Sequence, residues 1–157
     1  MGKEFEIKVM NIDIDNFKKM LKKHGGRIEL PKHKMIRHVF HHPDPNVNGF
    51  VRLRKEAKDK TTLTCKIFNQ TKYPLEYELT LHEPYENGLE FLKKSGHVVK
   101  SYQETAREKW LHPLAKEIVF DTWPGIPEFI EIDCENEDNL KELIRKFQLN
   151  RENIRYD

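Results

Sequence analysis

The chain has 157 residues, the length of one domain with a hydrophobic core of ordinary size. Hydrophobic residues make up 37% of it and charged residues 34%, which is not the composition of a disordered chain. The 28 Lys and Arg nearly balance the 26 Asp and Glu, and the formal net charge of +2 argues against a dedicated nucleic-acid binder.

Short polar turns divide the chain into segments with strand or helix periodicity. A period of two predicts eight strands, over 3–10, 34–42, 50–56, 61–68, 73–82, 98–110, 117–123 and 128–134. Three helices are predicted, one capped by Asp13 and running to about residue 24, the others over 86–95 and 136–147. This order predicts a β-rich α+β fold in a single domain over 1–157. Its antiparallel sheet would close toward a barrel and leave no long edge.

Charged residues recur at every second position in five of these strands, and in a sixth Thr64 alternates with Lys66. Alternate residues of a strand share one face. For any single strand, the simplest interpretation is a face wetted by solvent. A solvent face usually mixes in uncharged polar residues, however, so the recurrence favours rows that line the interior of the sheet. The rows are Glu4, Glu6 and Lys8; Arg52 and Arg54; Thr64 and Lys66; Glu76 and Glu78; Arg107 and Lys109; and Glu131 and Asp133.

Enclosed rows of carboxylates and cations would be costly to bury unless they are paired or coordinated. A bound polyanion together with divalent cations would satisfy both kinds of row. Arginine contacts phosphate oxygens in pairs, and lysine adds a point charge. Clustered carboxylates suit Mg²⁺ or Mn²⁺, whose oxygen ligands can include the phosphates of a substrate.

These residues, taken in chain order, also carry a resemblance to a known family. The chain resembles the CYTH family, the triphosphate tunnel metalloenzymes, whose ExExK signature is matched by the segment from Glu4 to Lys8. The signature alone is weak in a highly charged chain, but the ordered series over 4–133 is specific. It runs through Glu4-Phe5-Glu6-Ile7-Lys8, Arg52-Leu53-Arg54, Lys66 after Thr-Leu-Thr-Cys, Glu76-Tyr77-Glu78, Arg107 in Ala-Arg-Glu-Lys, Asp121-Thr122-Trp123-Pro124-Gly125-Ile126-Pro127 and Phe129-Ile130-Glu131-Ile132-Asp133.

The resemblance implies an eight-stranded, closed antiparallel barrel with a few flanking helices, whose tunnel binds triphosphate and Mg²⁺ or Mn²⁺. It implies that four carboxylates hold the metal: Glu4, Glu6, Glu131 and Asp133. It implies that the phosphates are held by Lys8, Arg52, Arg54, Lys66 and Arg107, with Arg37 as a further contact. Supporting acidic positions, either metal ligands or residues that orient the cations, are Glu76, Glu78 and Asp121. Lys8 is also the candidate general base and therefore the predicted catalytic residue.

Two reactions on this scaffold are compatible with the series. The favoured one is hydrolysis of a linear triphosphate, either inorganic tripolyphosphate or an organic compound such as thiamine triphosphate, because the triphosphate-binding rows are complete and no adenine-reading motif is found. The alternative is cyclisation of ATP to cyclic AMP and pyrophosphate, as in class IV adenylyl cyclases. A non-catalytic polyphosphate or RNA-binding module is a second alternative, against which the matched acidic rows argue.

The expected partner is a small triphosphate. Neither a membrane nor a nucleic acid is expected, and a homodimer is left open. The predicted compartment is the cytoplasm, because the N-terminal residues form no apolar signal region and no apolar run would span a bilayer. Cys65 and Cys134 lie far apart in strand-like runs. A disulfide between them is left open, and free core thiols are the favoured expectation.

Overall fold

A computed structural model describes residues 1–156 and shows a mostly antiparallel sheet with three helices. The helices are α1 (Ile14–Lys23), α2 (Tyr85–Lys94) and α3 (Glu137–Lys146). Short 3-10 turns occupy Ala57–Asp59 and Arg151–Asn153. The strands are β1 (Gly2–Lys3), β2 (Phe5–Val9), β3 (Arg27–His41), β4 (Gly49–Lys55), β5 (Thr61–Ile67), β6 (Leu75–Leu81), β7 (Val99–His112), β8 (Ala115–Thr122), β9 (Phe129–Cys134) and β10 (Ile154–Arg155).

The strands form one ten-stranded sheet in the order β1-β6-β5-β4-β3-β7-β8-β9-β2-β10. The predicted closed, eight-stranded barrel is therefore wrong in both strand number and closure. The predicted first strand is divided at Glu4, and its two parts pair with different strands, β1 with β6 and β2 with β9. A further short strand, β10, pairs with β2. Both outermost strands are only two residues long, which limits the exposed sheet edge.

The chain divides into two compact units, each assembled from separate segments of sequence. Unit 1 comprises residues 1–3 and 34–105. Helix α2 packs over β4, where the apolar face of the strand supplies Val51 and Leu53 to a core completed by Phe40, Tyr85 and Leu92. Gly88 leaves room for this approach, because a Cβ there would lie in tight contact with Leu53 Cδ1, at 3.1 Å. The helix therefore covers one face of β4 and leaves the other face for charged residues.

Unit 2 comprises residues 4–33 and 106–156. Helices α1 and α3 bring their apolar faces onto the sheet, and Phe17 packs against Phe120 and Phe147 with ring centroids 6.0 and 5.1 Å apart. The side chain of Asp13 caps α1 by accepting a hydrogen bond of 3.1 Å from the Asn16 amide, as predicted. The core of this unit also buries residues of the central strands: Ile7, Val9, Ile118, Ile130 and Ile132.

Helix positions agree with the predictions to within about one residue at each end. The largest difference in a strand is at β3, which begins at Arg27 rather than at residue 34. Most side chains over 27–33 are exposed, so this part of the strand lacks the apolar alternation that identifies a half-buried strand. Cys65 and Cys134 are free thiols, as predicted, and Cys134 is buried. Within residues 1–156, each helix is too short or too polar to cross a bilayer.

Candidate functional site

Strand β6 shows most directly which faces of the strands are protected from solvent. Its apolar residues Tyr77 and Leu79 are 42% and 54% exposed, whereas the side chain of Glu76, on the opposite face, is only 18% exposed. Among the predicted phosphate contacts, Arg54 and Lys66 are also buried. This inversion of the usual pattern does not fit rows of charge that are simply wetted by solvent.

In unit 1, strand pairing gathers four cations, here called the basic cluster: Arg37, Arg52, Arg54 and Lys66. Arg54 lies directly opposite Arg37 in the β3–β4 pair, and Arg52 lies opposite Thr64 in the β4–β5 pair. Two residues along β5 from Thr64, Lys66 is on the same face. The antiparallel register therefore places cations from three neighbouring strands together. Like charges directly opposite one another destabilise a sheet unless other groups compensate them.

Threonine hydroxyls orient two arginines of the basic cluster. Arg37 donates a hydrogen bond of 2.7 Å from Nη2 to Thr105 Oγ1, and Arg52 Nη2 donates one of 3.3 Å to Thr64 Oγ1. Thr64 in turn donates a hydrogen bond of 2.8 Å to Glu78 Oε1. Because Thr64 is fully buried, these bonds hold the side chains in one arrangement.

Carboxylates also stabilise the basic cluster, and one of them was not predicted. Arg54 Nη2 lies 3.2 Å from Glu56 Oε2, which also accepts a hydrogen bond of 3.0 Å from Thr62. Burial opposes ionisation of Glu56, but the Arg54 guanidinium and the Thr62 hydroxyl lower its pKa below the usual value. The carboxylate of Glu76 lies 3.8 Å from Arg52 Nη2 and 3.9 Å from Lys66 Nζ. At these distances the contacts are ion pairs and not hydrogen bonds.

In unit 2, Arg107 and Asp121 form the most tightly bonded pair. Arg107 donates from Nε and Nη2 to the two carboxylate oxygens of Asp121, at 2.7 Å each. The two residues are register partners in the β7–β8 pair, and both are buried. Burial lowers the pKa of Arg107, but Asp121 and then Glu131, 3.6 Å away, raise it above the usual value overall. Asp121 thus orients a cation, one of the two roles left open by the sequence.

The other carboxylates of unit 2 lie close enough to repel one another. Asp133 pairs with Glu6 across the β2–β9 register, and with Glu117 across the β8–β9 register. Burial, then the charges of Glu4 and Glu6, raises the pKa of Asp133 to about 9, against an opposing effect of Lys116. We call this group the carboxylate cluster: Glu4, Glu6, Glu117 and Asp133.

The chemistry of the carboxylate cluster fits a hard divalent cation. Asp133 Oδ1 is buried without a hydrogen-bond partner, and the accumulated negative charge would be relieved by a metal ion. Across residues 1–156, no three His, Cys, Asp or Glu residues are already arranged as a metal-binding group. Mg²⁺ usually keeps several waters and binds through one or two carboxylates plus substrate phosphates, so a preformed protein cage is not required.

The predicted site residues fall into two sets, one in each unit. Unit 1 brings together Arg37, Arg52, Arg54, Lys66, Glu76 and Glu78. Unit 2 contains Glu4, Glu6, Lys8, Arg107, Asp121, Glu131 and Asp133, and Lys8 lies opposite Glu131 in the β2–β9 register. Residues that contribute but were not assigned a role in the site are Glu56, Thr62, Thr64, Thr105, Lys116 and Glu117. Thr64 already lay in a predicted row with Lys66. Glu56 and Thr62 could have been found by extending the alternation from Arg54 to Glu56 and from Thr64 back to Thr62.

No protein-family profile matches the chain, and no curated protein matches it. Solved structures do match. A candidate adenylate cyclase from Vibrio parahaemolyticus is 14% identical at a TM-score of 0.82, with 98% of this chain and 92% of that chain covered. The PH1012 protein of Pyrococcus horikoshii OT3 is 17% identical at a TM-score of 0.80, with 98% and 95% covered.

A third similar structure is that of HpAC1 from Hippeastrum, a candidate adenylyl cyclase with a dominant triphosphatase activity. It is 14% identical at a TM-score of 0.63, with 100% of this chain and 91% of that chain covered. The structural neighbours are CYTH-type proteins, and the chain has their fold. The resemblance indicated by the motifs over 4–133 is thereby confirmed for the fold.

Proposed function

We propose that the chain is a metal-dependent phosphohydrolase that cleaves a linear triphosphate, such as inorganic tripolyphosphate or thiamine triphosphate. The observation that carries the proposal is the basic cluster, in which four cations from neighbouring strands are buried or nearly so. Arg37 and Arg52 are hydrogen-bonded to threonine hydroxyls, and Arg54 and Lys66 lie beside carboxylates. Gathering like charges away from water is costly, and a polyanionic ligand would offset that cost. The dominant triphosphatase activity of HpAC1, a protein with this fold, is consistent with the proposal.

The basic cluster would act by binding and by electrostatic stabilisation. Phosphoryl transfer requires little covalent chemistry from the protein, and most of the acceleration comes from positioning and from neutralising charge on the phosphate oxygens. Arg52 and Arg54 present planar guanidinium groups, which suit pairs of phosphate oxygens, and Lys66 adds a point charge. Arg107, aligned by Asp121, would contribute a further phosphate contact.

The metal ligands we propose are the four carboxylates implied by the resemblance: Glu4, Glu6, Glu131 and Asp133. A bound Mg²⁺ or Mn²⁺ would neutralise phosphate charge and lower the pKa of a coordinated water. Lys8 lies between Glu6 and the end of β2 and opposite Glu131, and we assign it as the general base that accepts a proton from the attacking water. As a base, Lys8 would act in its neutral amine form. Arginine stays protonated, so Lys8→Arg should remove the base and lower kcat more than it raises KM.

A cyclase is the second candidate, because the Vibrio parahaemolyticus neighbour is described as a candidate adenylate cyclase. In that reaction the 3′-hydroxyl of ATP would attack the α-phosphorus, and the same cations would neutralise the phosphates. The two functions differ in their products. Hydrolysis releases inorganic phosphate from tripolyphosphate, thiamine triphosphate or ATP, whereas cyclisation releases cyclic AMP and pyrophosphate from ATP alone.

A product assay on these three substrates, each with Mg²⁺ or Mn²⁺, tests the proposal. We expect inorganic phosphate from tripolyphosphate or thiamine triphosphate, and no turnover in the presence of EDTA. Cyclic AMP as the main product would favour the cyclase instead. Binding without turnover, independent of metal and steeply weakened by salt, would favour the polyphosphate or RNA-binding module.

Matched substitutions link the activity to the basic cluster. Arg52→Gln and Lys66→Gln should each lower kcat/KM for tripolyphosphate by roughly 10² or more, because each removes a charge-assisted contact. Arg145→Gln is the control, since Arg145 lies in an exposed pair with Glu142 on α3. Equal activity of all four proteins, wild type included, would contradict the assignment of the basic cluster.

A further inference from the structure

Lys116, at the start of β8, lies next to the carboxylate cluster and has no role in the proposed reaction. Its Nζ is 3.9 Å from Glu4 Oε2 and 3.8 Å from Asp133 Oδ2. The two carboxylates belong to different parts of the chain, since Glu4 precedes β2 and Asp133 lies on β9. One ammonium group therefore stands near oxygens of two of the proposed metal ligands.

The geometry of these contacts indicates an electrostatic role without a fixed bond. Distances of 3.8 and 3.9 Å exceed those of a hydrogen bond, so Nζ is held by charge alone. The Lys116 side chain is 38% exposed, while those of Glu4 and Asp133 are each 13% exposed. A long, flexible lysine stem that reaches solvent can withdraw its ammonium group, whereas the shorter carboxylate side chains are mostly enclosed.

The charged groups around Lys116 are mainly acidic. Besides Glu4 and Asp133, the carboxylates of Glu117 and Glu135 act on its charge. Lysine carries its charge at neutral pH. A full positive charge therefore stands close to where we place the divalent cation.

We infer that Lys116 is a tethered counter-ion, which stabilises the carboxylate cluster in the metal-free protein and withdraws when a divalent cation binds. This inference rests on the proposed function, because it takes Glu4 and Asp133 to be metal ligands. The positive charge of Lys116 would compete with the cation for these carboxylates. The site would consequently bind Mg²⁺ or Mn²⁺ less tightly than it would without Lys116.

The effect of removing the charge has a definite sign. Lys116→Gln takes away a positive charge that repels the metal, and should tighten Mn²⁺ binding by roughly three- to tenfold at low salt. The direction does not depend on whether the carboxylates are protonated in the metal-free protein. A divalent cation carries twice the charge of a competing proton, so it gains more from the removal of a nearby positive charge.

The test uses Mn²⁺ titration followed by electron paramagnetic resonance of the free aquo ion, without any substrate. Lys116→Arg keeps the charge and should bind Mn²⁺ like the wild type. Lys141→Gln is the exposed control, because Lys141 forms a surface i,i+4 pair with Glu137. In EDTA, Lys116→Gln should unfold at a lower temperature than the wild type, and saturating Mn²⁺ should narrow that difference.

Each outcome bears on either the inference or the proposed function. If the wild type binds Mn²⁺ and Lys116→Gln binds it equally or more weakly, the inference is overturned while the metal site stands. Tighter binding in Lys116→Gln but also in Lys116→Arg would overturn it too, since the charge would not be the cause. If neither the wild type nor Lys116→Gln binds Mn²⁺, the metal site of the proposed function fails, and the inference falls with it.

Discussion

Arg107 and Asp121 face one another across the β7–β8 pair and share two parallel hydrogen bonds of 2.7 Å. Both side chains are buried, so neither charge can be satisfied by water if the other is removed. Such a pair adds little stability compared with an apolar pair. Removing Asp121 would nevertheless leave the buried Arg107 charge with the longer ion pair to Glu131, at 3.6 Å. Asp121 therefore controls both the stability of this part of the sheet and the direction in which Arg107 points.

Asp121→Asn should destabilise the protein by about 3 kcal/mol, because it removes the carboxylate that compensates the Arg107 charge. Urea unfolding followed by circular dichroism would measure the change. Glu142→Gln breaks an exposed pair with Arg145 and should leave the unfolding midpoint unchanged. Similar midpoints for both variants would show that Arg107 finds another partner when Asp121 is neutralised.

Asp133 should make the metal-free protein less stable as pH rises. Its pKa is raised from 3.8 to about 9 in the folded state, so the folded protein holds a proton that the unfolded chain has lost between these values. The resulting stability is fully present below about pH 4 and is lost as pH rises through about 9. Asp133→Asn cannot ionise and should escape this loss.

The comparison requires thermal unfolding of the wild type and Asp133→Asn in EDTA at pH 6, 7.5 and 9. The melting temperature of the variant should exceed that of the wild type by a growing margin, reaching several degrees, since about 1 kcal/mol corresponds to ~2–4 °C in a chain of this size. Asp138→Asn, at an exposed position of α3, is the control. A margin that stays constant with pH would mean that Asp133 titrates as it does in the unfolded chain.

Thr64→Val tests the hydroxyl that links Arg52 to Glu78. Valine has a similar shape but neither accepts the bond from Arg52 nor donates the bond to Glu78. We expect a loss of about 1–3 kcal/mol in the free energy of unfolding, because buried polar groups lose their partners. KM for tripolyphosphate should also rise as Arg52 loses its fixed orientation.

Thr80→Val, on the exposed part of β6, provides the matched control for this hydroxyl, with an expected change within about 0.5 kcal/mol. Urea unfolding and steady-state kinetics would be measured on both variants. An unchanged KM in Thr64→Val, despite lower stability, would indicate that substrate binding orients Arg52 without help from the hydroxyl.

Gly49 links strand pairing to the position of Lys66. A Cβ at residue 49 would lie 2.2 Å from the Lys66 carbonyl oxygen and 3.2 Å from Ile67 Cα. These are backbone atoms of the paired strand, so Gly49→Ala must displace β4 or β5. We expect a destabilisation of about 2 kcal/mol or more, with weaker tripolyphosphate binding because Lys66 moves with its backbone.

Unfolding and isothermal titration with tripolyphosphate would check this expectation for Gly49. Asn48→Ala is the neighbouring control, since its side chain is exposed and its carbonyl oxygen keeps the hydrogen bond from Phe68. If Gly49→Ala binds tripolyphosphate like Asn48→Ala, the position of Lys66 does not depend on the close approach at Gly49.

Local features of the site could be predicted from sequence because they depend on neighbours in the chain. The period of two placed Arg52 and Arg54 on one face, and Glu4 and Glu6 on another. Features that depend on pairing between distant segments could not be predicted in this way. Arg54 meets Arg37 only because β4 pairs with β3 in one register, and a shift of one residue would turn Arg54 to the other face.

The position of Lys116, a residue outside every motif, could not be predicted from the sequence either. Nothing in the segment from Ala115 to Glu117 distinguishes this lysine from a solvated one at the start of a strand. The β8–β9 register pairs Glu117, not Lys116, with Asp133, and alternation puts Lys116 outside that row. Its approach to 3.8 Å from Asp133 is therefore visible only in the folded structure. The alternation of residues along one segment says nothing about which strand it pairs with. It therefore could not predict the split of the first strand at Glu4 or the pairing of β10 with β2.

By itself, the sequence determined which side chains share a face, where the helices lie and which charged residues form rows, because these follow from the backbone geometry of one segment. Only the tertiary structure decided which face of each strand is protected from solvent. Both faces of β6 carry side chains that could be buried, and Glu76 is more protected than Leu79. That choice depends on the elements that cover each face, and their packing is a property of the whole sheet.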